Sequence, residues 1–142
     1  RAMEDGAEEL DVVMNFGAFF SRKDKDVLKE IQSITQLANL RHKIVKWIIE
    51  TGLLSHDDIE RACELAVRAE VDYVKTSTGF NGPGATVEVV ELLRNLLPKK
   101  IMIKASGGIK SKRQALELIR AGADRIGTSA SLEIIGLETV TA

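Results

Sequence analysis

Short apolar runs alternate with longer amphipathic stretches along the chain, and this alternation restricts the fold more than any other feature of the sequence. The apolar runs predict five strands, at residues 10–16, 44–49, 71–75, 101–104 and 125–127. The stretches between them carry apolar residues three and four positions apart and predict helices, at about residues 23–39, 55–69, 85–97, 111–121 and 129–135. Residues 1–7 have the composition of a helix end, with Gly6 at the usual terminating position. Strands that alternate with helices form a parallel sheet covered by helices.

An internal repeat favours a barrel over an open sheet. Segments 4–11, 68–75 and 120–127 can be laid over one another, which predicts that Asp11, Lys75 and Gly127 occupy one register. The active sites of βα barrels form at the C-terminal ends of several strands at once. We therefore expect Asp11, Lys75, Lys104 and Gly127 to converge.

The composition is that of a soluble, single-domain globular protein. The chain has 142 residues, 44% of them hydrophobic, and a net charge of -1, which argues against a nucleic-acid-binding surface. No apolar run approaches the roughly 18 residues that a membrane span needs. The single cysteine, Cys63, has no disulfide partner in the chain and is expected to be a small buried side chain. These observations favour a reducing compartment, with the cytoplasm as the default.

Two lysines close apolar runs and are followed by glycine loops. Lys75 ends the strand at 71–75, and Lys104 ends the strand at 101–104. Two ammonium groups in one pocket depress each other's pKa, so that one amine is neutral near pH 7. A neutral amine is the nucleophile that Schiff-base chemistry requires.

The glycines near these lysines suggest where a phosphate would bind. Gly107 and Gly108 allow the backbone to approach an anion closely, and Gly127, Thr128 and Ser129 are expected to open the final short helix, whose positive end attracts anions. Backbone N–H groups at these positions would hold the phosphate.

Each of these residues also has a simpler interpretation. A single lysine at a strand end is usually a surface residue, and Asp11 alone would cap a loop or pair with an arginine. Gly107 and Gly108 alone would form a tight turn. Neither His42 nor His56 has a Cys or His partner at metal-ligand spacing, so we expect surface positions for both and no metal site.

Five motifs together resemble the deoxyribose-phosphate aldolase family, whose members are class I aldolases on a (β/α)8 TIM barrel. The motifs agree in order and spacing, and they are Leu10–Val13, Glu50–Gly52, Lys75–Gly79, Lys104–Ile109 and Gly127–Ser129. The resemblance covers nearly the whole chain, and the two lysine motifs together are highly specific.

The resemblance implies a role for each matching residue. Lys75 would form the Schiff base, Lys104 would perturb its pKa, and Asp11 would move protons through a bound water. Gly79 would join the glycines named above at the phosphate. The implied reaction is the reversible cleavage of 2-deoxy-D-ribose 5-phosphate to acetaldehyde and D-glyceraldehyde 3-phosphate, without cofactor or metal.

The chain is shorter than a complete barrel, which has about 250 residues and eight strands. Under the resemblance, its five strands correspond to strands four to eight, so residues 1–142 are expected to form one partial TIM-barrel domain that lacks the first three βα units. The chain is then either a fragment or a short form whose missing wall comes from a second copy, which predicts a homo-oligomer. Two further readings stay open: an inactive assembly module that keeps the phosphate pocket, and a Schiff-base aldolase for another phosphorylated aldehyde.

Overall fold

The computed structural model describes residues 1–136 and shows a single curved, parallel sheet. Its strands follow one another in chain order: β1 (Glu9–Val13), β2 (Ile44–Ile48), β3 (Tyr73–Lys75), β4 (Met102–Ser106) and β5 (Arg125–Gly127). This sequential order is that of a barrel wall, because a doubly wound sheet reverses its strand order at a switch point. The predicted α/β class with about five βα units is therefore confirmed.

Helices connect the strands as the alternating pattern predicts. They are α1 (Phe16–Phe20), α2 (Asp24–Asn39), α3 (His56–Ala69), α4 (Val87–Leu96), α5 (Lys112–Arg120) and α6 (Ser131–Ile135), with a 3-10 turn at Thr51–Leu53. Within residues 1–136, no helix has the length and apolar content to cross a membrane.

Serine side chains fix the starts of α3 and α5. Ser55 accepts a hydrogen bond from the Asp58 N–H at 3.2 Å, and Ser111 accepts one from the Gln114 N–H at 3.2 Å. These contacts satisfy N–H groups that have no partner within the helix. The side chains of Ser55 and Ser111 therefore cap α3 and α5.

The predicted boundaries are wrong at three places near the chain ends. The first strand stops at Val13 instead of residue 16, because the Asn15 side chain accepts from the Ala18 N–H and starts α1 at Phe16. Residues 1–7 form turns, although Gly6 has the positive φ of 100° expected of a terminating glycine. The last helix begins at Ser131 instead of residue 129.

The apolar core lies between the convex face of the sheet and the helices. Alternate residues of β2 show this, since Val45 and Trp47 are 0% and 1% exposed and face the helices. Phe19 of α1 is also fully buried. Cys63 of α3 is 2% exposed, and burial raises the pKa of its thiol to about 12. The prediction that Cys63 is a small buried side chain is confirmed.

The strand register differs from the one that the internal repeat predicts. Asp11 pairs with Lys46, whereas Lys75 pairs with Lys104 and Gly127 pairs with Ser106. Asp11, Lys75 and Gly127 therefore do not share one register. The strands of a barrel are staggered against one another, so equal positions in a sequence repeat do not lie at equal heights.

One close backbone contact packs the loop before α4 onto the loop after β4. A Cβ atom on Gly84 would lie 2.0 Å from the carbonyl oxygen of Gly107, so this position accepts glycine only. The Ala85 N–H also donates to the Gly107 carbonyl at 3.2 Å.

We predict that Gly84→Ala destabilises the protein by about 1–3 kcal/mol, because the added methyl group forces the two loops apart. Gly17→Ala is the matched control, since its Cβ would meet its nearest atom at an ordinary 3.6 Å. The measurement is the free energy of unfolding from denaturant titration. Equal stability of the two variants would contradict the close packing.

Candidate active site

One carboxylate on the concave face of the sheet receives hydrogen bonds from three lysines. Oδ2 of Asp11 accepts from Nζ of Lys75 at 2.6 Å and from Nζ of Lys104 at 3.0 Å. Oδ1 accepts from Nζ of Lys46 at 2.7 Å. Four neighbouring strands, β1 to β4, thus place these side chains at one point. The structure brings together the three residues that the sequence singled out for catalysis.

Sequence reasoning missed Lys46. This residue is 5% exposed, and Nζ also contacts Glu9 at 3.0 Å. Glu9 in turn pairs with Arg125, so that an ion-pair chain joins the first strand to the last. The signal was available, because a lysine in the middle of the apolar run 44–49 alternates with Val45 and Trp47 and so faces the other side of the sheet.

Hydrogen bonds hold the protonation states of Asp11 and Lys46. Burial raises the pKa of the Asp11 carboxyl, but the bonds from Lys46, Lys75 and Lys104 outweigh this effect and hold it well below its usual range. Burial likewise lowers the pKa of Lys46, and the bonds to Asp11 and Glu9 outweigh it and raise that pKa. Asp11 is therefore a carboxylate and Lys46 a permanent ammonium at neutral pH.

The same kinds of interaction act on Lys104 as on Lys46, but their sum lowers the pKa of Lys104. Burial lowers the pKa of Lys104, and the charges of Lys75 and Lys46 lower it further. The bond to Asp11 opposes this shift but does not cancel it. This site therefore eases the loss of a proton from Lys104.

The lysine pair lies against a cavity of about 460 Å³ at the C-terminal ends of β3, β4 and β5. Its wall includes every residue that the sequence singled out for phosphate binding, namely Gly79, Gly107, Gly108, Gly127 and Ser129. A cavity of this size suits a small phosphorylated sugar.

Glycine is required in the loops of this cavity. Gly79, Gly107 and Gly108 have φ values of 94°, 91° and 73°, in the left-handed region that other residues rarely adopt. In the described part of the chain, no acceptor takes a hydrogen bond from the N–H of these three residues. Their N–H groups are therefore available to an anion.

The prediction that Ser129 belongs to the start of the final helix is wrong. The residue lines the cavity, but α6 begins two residues later and has five residues, and Ala130 provides no side-chain cap. Ser129 lies in the loop that precedes the helix, so its contribution comes from the loop and not from a helix terminus.

Buried hydroxyl groups behind the cavity connect the two lysine loops. The Thr76 hydroxyl donates to the Ser106 carbonyl at 3.0 Å, and the Ser106 hydroxyl donates to the Ser77 carbonyl at 2.6 Å. A Cβ on Gly127 would lie 2.9 Å from Cβ of Ser106 and 3.2 Å from Cε of Lys104, so glycine leaves room for the lysine side chain.

The described chain has one cluster of possible metal ligands, and it lies outside this cavity. His56, Asp57 and Glu60 form it at the start of α3, and all three are exposed. The exposed position of His56 agrees with the prediction from sequence, as does that of His42.

Comparison with protein-family models decides the family. Residues 1–137 match the model of the DeoC/LacD family aldolases. The chain belongs to the DeoC/LacD aldolase family. Two curated relatives carry the name deoxyribose-phosphate aldolase: one from Thermococcus kodakarensis is 50% identical over 138 residues, and one from Bacillus licheniformis is 47% identical over 135 residues. The matches cover 95% of this chain and 60% of each relative, so the chain spans about 60% of their length.

Solved structures of similar proteins have the same fold. An aldolase described as QR15 is 41% identical with a TM-score of 0.89, over 95% of this chain and 60% of that one. A deoxyribose phosphate aldolase from Aeropyrum pernix, described as having a unique tetrameric structure, is 36% identical with a TM-score of 0.85, over 94% of this chain and 56% of that one. The five strands thus superpose on part of a DeoC/LacD family barrel.

We predict opposite pKa changes at Lys104 when the charges around it are removed. Asp11→Asn removes the anion that raises the pKa of Lys104, so that pKa falls further. Lys46→Met removes a cation that lowers it, so the pKa of Lys104 rises towards its ordinary value. The measurement is an NMR pH titration of protein labelled at lysine Cε.

Lys99→Met is the control for this titration, because Lys99 is exposed and is not among the residues in contact with Asp11. It should leave the titration of Lys104 unchanged. A shift of the same sign in the Asp11 and Lys46 variants would contradict the charge balance described here.

Proposed function

We propose that this chain supplies the catalytic and phosphate-binding part of a class I aldolase that cleaves 2-deoxy-D-ribose 5-phosphate to acetaldehyde and D-glyceraldehyde 3-phosphate. The observation that carries the proposal is that Lys75 and Lys104, which line one cavity with available N–H groups, both contact the same oxygen of Asp11. The names of the curated relatives support this choice of substrate.

In the proposed reaction, the amine of Lys75 attacks the aldehyde carbon C1 of the open-chain sugar, and water leaves to form an iminium ion. The C2–C3 bond then breaks as the C3 hydroxyl loses its proton, and the electron pair moves into the enamine. Glyceraldehyde 3-phosphate leaves. A proton adds to C2, and water hydrolyses the iminium to release acetaldehyde and the free amine.

The neighbouring groups have distinct tasks in this scheme. Asp11 contacts both amines and carries protons to and from the substrate through a bound water. Lys104 shares Oδ2 of Asp11 with Lys75 and so places its charge beside the nucleophile. Lys46 holds Oδ1 of Asp11, which leaves Oδ2 directed at the reacting lysines. The motif Lys75–Gly79 resembles the Schiff-base motif of the family, and on this basis Lys75 is the nucleophile.

Gly79, Gly107, Gly108, Gly127 and Ser129 form the proposed phosphate site. These residues line the same cavity as Lys75 and Lys104. A phosphorylated sugar held there by its phosphate would extend its aldehyde carbon towards Lys75. Backbone N–H groups suit a phosphate because they add no competing charge at the lysine pair.

We further propose that residues 1–142, of which 137–142 lie outside the described residues, form one partial barrel domain without the first three βα units. Further βα units or a second copy would complete the wall. Exposed apolar side chains support such a covering: Val13, Ile119 and Ile135 are 48%, 49% and 62% exposed. The tetrameric description of the Aeropyrum pernix relative supports a homo-oligomer. A reducing compartment, by default the cytoplasm, remains our prediction for the location.

We predict that sodium borohydride traps acetaldehyde on this protein as an ethyl group on Lys75. The reduction fixes the iminium, and peptide mass spectrometry locates it. Lys75→Arg should abolish both trapping and cleavage, while Asp11→Asn should form the adduct and slow cleavage by about 10²–10⁴-fold, the usual contribution of general acid–base catalysis.

Lys99→Met is again the control and should be labelled as the unaltered protein is. Absence of an adduct would exclude the aldolase and favour the inactive module that keeps a phosphate pocket. An adduct without cleavage of 2-deoxyribose 5-phosphate would favour an aldolase for another phosphorylated aldehyde, which a substrate screen identifies.

A further inference from the structure

Glu50 is a fully buried acid outside the lysine cluster. The residue is 0% exposed, and its backbone adopts the left-handed conformation, with φ of 50° and ψ of 62°. Burial of a carboxyl group and a positive φ at a non-glycine residue each cost free energy. A residue that combines both requires compensating contacts.

The carboxyl group of Glu50 makes those contacts with a single residue of the neighbouring loop. Its two oxygens accept from the Thr78 N–H at 3.1 and 3.2 Å, and one of them also accepts from the Thr78 hydroxyl at 2.5 Å. Thr78 follows β3 and stands three positions after Lys75. The side chain of Glu50 therefore acts on the loop that carries the proposed Schiff-base lysine.

Backbone bonds around Glu50 continue the pairing of β2 with β3 and then stop. The Ile49 N–H donates to the Lys75 carbonyl at 3.1 Å, and the Thr51 N–H donates to the Thr76 carbonyl at 2.8 Å. Two residues after Thr76, the Thr78 N–H donates to the Glu50 carboxyl group instead of a backbone carbonyl. The Glu50 side chain thus bonds to the loop at the point where the loop leaves the sheet.

The same contact fixes the conformation of Gly79. The Thr78 hydroxyl oxygen accepts from the Phe80 N–H at 3.2 Å, which closes a turn around Gly79 at its φ of 94°. Because the Thr78 hydroxyl donates its O–H to Glu50, its oxygen lone pairs are free to accept from the Phe80 N–H. The N–H of Gly79 is left without a partner in the described chain, beside the cavity.

We propose that Glu50 is a positioning residue for phosphate recognition, which acts through Thr78 to hold the Gly79 N–H towards the substrate's phosphate. The inference rests on the proposed function, because it takes the phosphate site to lie at Gly79, Gly107 and Gly108. A positioning role would explain why the Glu50–Gly52 motif contains a buried acid, which packing alone does not require.

The test combines Thr78→Val, Thr78→Ser and Glu50→Gln with inorganic phosphate as the probe. Valine keeps the shape of threonine and loses the hydroxyl contacts to Glu50 and Phe80, whereas serine keeps the hydroxyl. We expect Thr78→Val to weaken phosphate binding by about tenfold, the order expected when a buried polar group loses its partner, and Thr78→Ser to stay within about twofold. The measurement is an NMR titration that follows the Gly79 amide.

Glu50→Gln should also weaken phosphate binding, since it replaces the charge-assisted hydrogen bonds to Thr78 with weaker neutral ones and turns one of the two acceptor oxygens into an N–H donor. The Glu50→Gln, Thr78→Val double variant should bind as weakly as Thr78→Val alone, because both changes break one coupled contact. If circular dichroism shows that Glu50→Gln does not fold, the difference in phosphate affinity between Thr78→Val and Thr78→Ser decides the role of the contact.

Kinetics separate this inference from the proposed function. In Thr78→Val, the KM for 2-deoxyribose 5-phosphate should rise, while kcat/KM for unphosphorylated 2-deoxyribose should stay unchanged. Equal losses on both substrates, or unchanged phosphate affinity in every variant, would overturn the role of Glu50 and leave the aldolase intact. If the variants weaken phosphate binding but the unaltered protein shows no cleavage activity, the positioning role of Glu50 would be supported and the proposed aldolase function rejected.

Discussion

The Asp11 carboxylate is the contact on which the rest of the proposed site depends. Lys46, Lys75, Lys104 and Arg125 place four cationic side chains on the concave face of the sheet, whereas Glu9 and Asp11 supply two carboxylates there. Mutual repulsion would separate the lysines without an anion between them. Burial lowers the pKa of Lys104, and the charges of Lys75 and Lys46, which the shared carboxylate compensates only in part, lower it further.

The parallel sheet makes this sharing possible. Each of the strands β1 to β4 places one side chain of the cluster on the concave face of the sheet. The helices pack on the opposite face, where they enclose the apolar core. Rigid strands hold Asp11, Lys46, Lys75 and Lys104, while loops with left-handed glycines hold the proposed phosphate site. The groups proposed to react are thus fixed by the sheet, and most of the groups proposed to bind phosphate come from the loops after it.

Much of the fold and the central part of the site could be predicted from the sequence. The strand at 125–127 and the helix starts near residues 55 and 111 are local features, and the structure confirms them. Lys75 and Lys104 stood out because each ends an apolar run before a glycine loop. The end of β1 was mistaken, since the contact of Asn15 with the Ala18 N–H outweighs the apolar character of Phe16.

Other parts of the site depend on relations that a linear pattern does not contain. The stagger between strands decides which residues lie level, so the repeat gave the wrong register for Asp11 and Gly127. Lys46 lies inside an otherwise apolar run, which hides it among core residues. Only its alternation with Val45 and Trp47 indicates that it faces the concave side of the sheet. The task of Glu50 emerges only when its contact with Thr78 is seen.

A crystal structure of the protein at neutral pH tests the shared carboxylate most directly. The arrangement described above predicts Nζ of Lys75 and Nζ of Lys104 both within hydrogen-bond distance of Oδ2 of Asp11, with Lys46 on Oδ1 and the cavity open beside them. Either amine turned away from the cavity, or Asp11 bonded to Lys46 alone, would contradict it.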